Sequence, residues 1–122
     1  ASKKLTADEQ RLLEQPVFFG KKNNVDLNNK TNEHLNKVVA ILKKYPESRI
    51  VIKGHTCDLG TAAVIEKRSI ERATACGDYL ANQGIVKDRV QIVAVATAEP
   101  VVPNTSEENR EKNRRVTFAF VN

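Results

Sequence analysis

Apolar residues recur along this chain in two rhythms, and the switches between them mark out its elements. Leu5, Leu12 and Leu13 stand among Lys, Glu and Gln, so residues 1–15 read as an amphipathic lead-in ended by Pro16. Val17-Phe18-Phe19 reads as a short buried strand. Residues 20–30, rich in Asn and Lys, read as a loop that turns Val25 or Leu27 inward. Leu35, Val38, Val39 and Leu42 fall at i, i+3, i+4 and i+7, which is one stripe of a helix. Pro46 stops that helix, because the residue before a proline is pushed away from helical backbone.

Arg49-Ile50-Val51-Ile52-Lys53 is dense in β-branched residues and ends at Gly54, so it reads as a strand. A second helix is predicted from about Thr61 to Gln83, with Ile65, Ile70, Ala73, Gly77 and Leu80 as its inner stripe. Gly84 follows as the left-handed residue that commonly ends a helix. Val90 to Val95 is apolar at nearly every position, the pattern of a central strand. A loop carrying Pro100 and Pro103 leads to a charged helical turn at Glu107–Lys112. Alternation over Val116-Thr117-Phe118-Ala119-Phe120 marks a last strand with one buried face.

The main order is therefore β-α-β-α-β-β. It predicts an α/β (α+β) sandwich: a mixed four-stranded sheet with two main helices packed on one face. Residues 1–16 are a lead-in and residues 17–122 one domain, with no repeat, low-complexity tract or internal linker. This pattern names no function.

Composition narrows the classes. With 40% hydrophobic and 29% charged residues, the chain is an ordinary folded domain rather than a disordered tail. Met and Trp are absent and aromatics scarce, so Val, Ile, Leu and Ala must build the core. No apolar run approaches the ~18–20 residues of a membrane helix. The polar opening Ala1-Ser2-Lys3-Lys4 shows no secretory signal, so an exported form is expected to be mature or excised. The formal charge of +5 favours an anionic partner or simply a solvated basic surface. Nucleic acid is not expected, since interleaved aromatics and a recognisable motif are missing.

Two cysteines, Cys57 and Cys76, permit one disulfide but match no four-ligand zinc spacing. His55 and His34 have no third ligand at metal spacing, so no metal is expected. A Cys57–His55 pair lacks a third group to orient the base, so neither catalysis nor a cofactor is expected. His55 is expected to bond to loop backbone.

Three ordered stretches carry a further signal. The first is Val17-Phe18-Phe19 before a long helix. The second is Ile52-Lys53-Gly54-His55-Thr56, followed by Gly60, Ser69 and Arg72-Ala73. The third is Asn104, then Arg110 and Asn113-Arg114-Arg115-Val116. Together they resemble the OmpA-like family, which includes the Pal lipoproteins and the flagellar stator protein MotB, over about residues 17–121. The resemblance implies a non-catalytic module that holds the peptidoglycan stem peptide through its diamino acid, diaminopimelate or a related one. It implies a periplasmic setting, within an outer-membrane-associated or lipid-anchored protein, and protein partners in the envelope.

In that family an Asp after Gly-His-Thr takes the ligand ammonium, and an Arg on the next helix takes its carboxylate. Such a zwitterion suits one anion beside one fork-shaped cation. Arg72 stands at the Arg position. Cys57 stands at the acidic one, with Asp58 a residue later as a substitute. Ile65 replaces a supporting Asn, and Lys21 and Lys22 replace acidic and amide residues. The implied ligand-binding set is Thr56, Cys57, Asp58, Arg72, Asn113 and Arg114.

Arg110, Asn113 and Arg114 are implied to border the pocket and order the loop before the last strand, with Arg115 on the opposite side. The alternative for this basic cluster is a solvated face paired to Glu107, Glu108 and Glu111. The family fold also brings the Cys57 loop beside the Cys76 helix, leaving a disulfide and two buried thiols as alternatives. A second function stays open: an OmpA-like domain that has lost peptidoglycan and serves as a structural or protein-interaction module.

Overall fold

The structure, a computed structural model, describes residues 4–21, 24 and 26–121. Lys22 and Val25, both singled out above, lie outside the described residues. The amphipathic lead-in forms helix α1 (Ala7–Glu14), opened by a capping box in which Thr6 and Glu9 each accept the other's backbone N–H. Its Leu13 enters the core at 2% exposure. Glu9 also clamps α1 to the end of α2 (Asn29–Lys44), accepting from the Tyr45 hydroxyl at 2.6 Å and from Lys44 at 2.9 Å. Those bonds, led by the Thr6 backbone, hold the Glu9 carboxyl down to about 2.

The remaining elements are β1 (Val17–Phe18), β2 (Arg49–His55), α3 (Ala62–Asn82), β3 (Val90–Ala96), α4 (Glu107–Asn113) and β4 (Arg115–Val121). The sheet runs β1-β4-β2-β3, with β4 antiparallel to β1 and β2, and β3 parallel to β2. Register pairs Ile50 with Phe120, Ile52 with Phe118 and Gly54 with Val116, so these residues share one face. Leu35, Leu42, Ala73 and Leu80 pack into the same buried cluster, which places both main helices on that face. Leu27 packs at its margin. Gly84 ends α3 at φ +98°, with the Ile85 N–H donating back to Leu80.

Two expectations are corrected. The apolar strand Val90–Ala96 lies at the sheet edge, not its centre, because β2 already has β4 on its other side. Its Val90 and Ile92 approach Gly77 of α3, yet Ile92 is exposed, as are Gln91 and Ala94. The inner stripe of α3 is also rotated: Ser69, Arg72, Ala73, Cys76 and Leu80 are buried, and Ile70 is 43% exposed. The cause is a close approach to β2. A Cβ on Gly54 would lie 1.8 Å from the Ser69 carbonyl oxygen, so backbone meets backbone there. The Ser69 hydroxyl fills the contact, donating to the Gly54 carbonyl and accepting from the Ala96 N–H at 3.1 Å.

Arg89 closes the far end of the molecule. It donates to the carbonyls of Leu42, Tyr45 and Ser48 at 2.6–2.9 Å, taking up the Leu42 acceptor in the last turn of α2 and tying the turn that follows it. Arg89→Met is expected to cost about 2 kcal/mol in urea unfolding, since buried carbonyls lose charged donors. No described helix is long and apolar enough to cross a membrane.

Candidate functional site

The Gly54–Ser69 contact sets the first site residue in place. One turn further along α3, it carries Arg72 to the end of β2. Arg72 is fully buried and donates to the carbonyls of Asn24 at 3.0 Å, His55 at 3.3 Å and Lys21 at 3.3 Å. Its guanidinium lies 5.5 Å from the Phe19 ring centroid. Burial pulls Arg72 down to about 10; Cys57 acts against this, while Arg114 and Arg68 reinforce it. Arg68, a turn earlier, donates to the Leu59 carbonyl at 3.2 Å. It was not among the expected site residues, although its i,i+4 spacing from Arg72 marks it.

At the end of β2 the ladder slips by one residue, pairing Gly54 with Ala94 but His55 with Ala96, and Ala96 takes φ +54°. The Thr56 N–H follows, donating to the Ala96 carbonyl at 3.0 Å. The Thr56 hydroxyl is buried and, among the described residues, has no hydrogen-bond partner. Such an orphan is costly, and while Asn32, His34 and His55 also carry one, that of Thr56 sits one peptide unit beyond the His55 carbonyl that Arg72 holds.

Cys57 and Cys76 are both free and buried, so the disulfide alternative is corrected to two thiols. They occupy different environments. Cys76 packs in the apolar core, where burial pushes its thiol up to about 12. The Cys57 sulfur accepts from Arg114 Nε at 3.2 Å. Arg114, also fully buried, donates to the Gly20 carbonyl at 2.7 Å and makes a bidentate pair with Glu107 at 2.7 and 2.8 Å. That pair, with burial opposing, raises the Arg114 guanidinium. The basic cluster is therefore not a solvated face, although the pairing with Glu107 is real. Arg115 points elsewhere, to the carbonyls of Glu99 and Asn113.

Asp58 is at the rim, 47% exposed, with its Oδ1 accepting from Arg110 Nε at 2.9 Å. Asn113 is committed to the loop. Its oxygen accepts from the N–H groups of Val101 and Val102, and its amide donates to the Val102 carbonyl and Asn104 Oδ1, all within 2.8–3.3 Å. Asn113→Ala is expected to cost about 2 kcal/mol in thermal unfolding and to speed amide exchange at residues 101 and 102.

Among the described residues, the His55 side chain makes no bond to loop backbone. It points to the sheet face opposite Gly54 and meets Thr117 Oγ1 of β4 at 2.8 Å. Burial, aided by Arg115, lowers its imidazole to about 4. A base held below its free value of 6.5 is neutral in the fold, and the unfolded chain protonates first as pH falls. Stability is thus full above pH 6.5 and declines toward pH 4, by on the order of 2 kcal/mol. Urea midpoints at pH 7.5 and 4.5 test this, with a flatter profile expected for His55→Gln. Among the described residues no cluster of His, Cys, Asp and Glu could hold a metal ion.

Comparison with known proteins gives concordant likenesses. The OmpA family profile matches residues 19–114. Peptidoglycan-binding protein ArfA of Mycobacterium tuberculosis is 34% identical over 101 residues, which is 83% of this chain and 31% of that protein. The chain thus spans about a third of that curated relative. The peptidoglycan-associated lipoprotein structure from Burkholderia pseudomallei superposes with TM-score 0.85 at 21% identity, covering 93% of this chain and 97% of the other. The C-terminal domain of Helicobacter pylori MotB gives 0.81 at 24% identity, covering 88% and 84%. At those identities the two structures speak for the fold.

Proposed function

This chain belongs to the OmpA family, and from that premise we propose that it is a non-catalytic peptidoglycan-binding module. The ligand is the stem peptide, held at its diamino acid, diaminopimelate or a relative. The setting is the periplasm, within an outer-membrane-associated or lipid-anchored protein.

The observation that carries this reading is the pairing of a fully buried Arg72 with the unpartnered hydroxyl of Thr56 at the end of β2. Arg72 spends its donors on backbone carbonyls of Lys21, Asn24 and His55. A carboxylate outcompetes a carbonyl for a guanidinium, because charge-assisted bonds are about twice as strong as neutral ones. A stem-peptide carboxylate therefore displaces a loop carbonyl on Arg72 and gives the Thr56 hydroxyl its acceptor. ArfA, named as peptidoglycan-binding, supports the ligand class.

Thr56→Val tests this through two effects of opposite sign. Removing an orphaned hydroxyl is expected to stabilise the free domain by about 1 kcal/mol. The same change is expected to weaken co-sedimentation with purified sacculi by roughly tenfold, the worth of one hydrogen bond to a charged group. Wild-type protein left in the supernatant overturns the reading and favours a structural or protein-interaction module.

A further inference from the structure

An ammonium brings three donors and no acceptor, so leaving water for a buried site requires an anion to receive it. Among the described residues, Glu71 beside Arg72 is 40% exposed and pairs with Lys67 at 3.9 Å, so an added pair there is screened. Three other side chains, each bonded to an arginine of this site, could receive an ammonium. The Cys57 sulfur, 2% exposed, already accepts from Arg114 Nε at 3.2 Å. A cation placed on that sulfur would press against the Arg114 guanidinium. Glu107 gives both carboxylate oxygens to Arg114, at 2.7 and 2.8 Å, and its side chain is 59% exposed, so an ammonium added there is screened as well. Asp58 gives Oδ1 to Arg110, and its side chain is 47% exposed, so an added pair there is screened by water and salt.

The cations, by contrast, converge. Arg68 bonds to Leu59, Arg72 to His55, Arg110 to Asp58 and Arg114 to Cys57, so guanidinium groups from α3, from α4 and from its C-cap reach residues 55, 57, 58 and 59. The potential over this loop favours an anion and opposes an ammonium.

Resting on the stem-peptide reading above, we infer that the site selects its ligand by the carboxylate alone, with Cys57 as the residue that removes selection for the amine. The ligand class is any stem-peptide end with a free carboxylate, whether or not an ammonium stands beside it. Cys57 sets this specificity because its buried sulfur is already engaged by Arg114 Nε, and no carboxylate stands there to receive an ammonium.

Titration of the whole chain by NMR with meso-diaminopimelate, with pimelate, which lacks both amines, and with 1,5-diaminopentane, which lacks both carboxylates, tests this. Pimelate is expected to bind within about threefold of diaminopimelate, and the diamine not at all. Cys57→Asp adds an anion and is expected to favour diaminopimelate over pimelate by about tenfold, the worth of one charged hydrogen bond. Cys57→Asn, matched in shape but uncharged, should leave the ratio as in wild type. A wild-type preference for diaminopimelate of about tenfold or more overturns the inference. So does a Cys57→Asp ratio that does not move, or sacculi held while neither dicarboxylate binds. Those results leave peptidoglycan binding standing, whereas sacculi not held at all overturn both.

Discussion

Gly54→Ala is expected to destabilise this domain by about 3 kcal/mol or more, a large part of the ~5–15 kcal/mol that typically holds a domain folded. The new methyl would lie 1.8 Å from the Ser69 carbonyl oxygen and 2.7 Å from its carbon. Those atoms are helix backbone and have no rotamer to escape into. Either α3 lifts from β2 or the strand bends, and both break the bonds that Ser69 makes to Gly54 and Ala96. The whole site hangs from this contact, since Arg72 is one turn further along α3. Gly20→Ala supplies the contrast. Its surroundings are open, with nothing within 4 Å, but its φ of +70° is left-handed, so a cost of about 1 kcal/mol is expected from backbone strain. Urea unfolding of both variants decides the matter. A Gly54→Ala midpoint close to that of Gly20→Ala would mean that the helix is not seated on the strand as described.

Arg72→Ala is expected to reduce affinity for sacculi by more than about a hundredfold, because a bidentate, desolvated carboxylate pair is worth on the order of 3 kcal/mol. Arg72→Lys is expected to restore little of it. A lysine keeps the charge, but it lacks the planar fork that spans the loop carbonyls and a carboxylate together. Both variants also lose loop contacts, since Arg72 holds the carbonyls of Lys21, Asn24 and His55. A stability loss of about 2–4 kcal/mol is therefore expected alongside. Near-ultraviolet circular dichroism should establish that each variant is folded at the assay temperature before sedimentation is read. A folded Arg72→Ala protein that sediments like wild type would remove Arg72 from the ligand site.

The periodicities along the chain were enough to locate the strands and main helices and their order, because a strand's alternation and a helix's stripe follow from local backbone geometry. The spacing from Gly54 to Arg72-Ala73 was also legible, and through it the helix that carries the buried arginine. Three-dimensional packing had to settle matters that turn on partners far apart in the chain. Val90 to Val95 reads as central by its apolar run, yet strand neighbours are chosen by how the connections close, and the strand lies at the edge. Ile70 outranks Ser69 and Arg72 in hydrophobicity, yet α3 buries the polar pair, because a backbone-to-backbone seat on Gly54 fixes its rotation. Cys57 meets Arg114, Asp58 meets Arg110 and Asn113 is spent on its own loop. No local rhythm encodes those choices, since each depends on which donor reaches a buried acceptor once the core has closed.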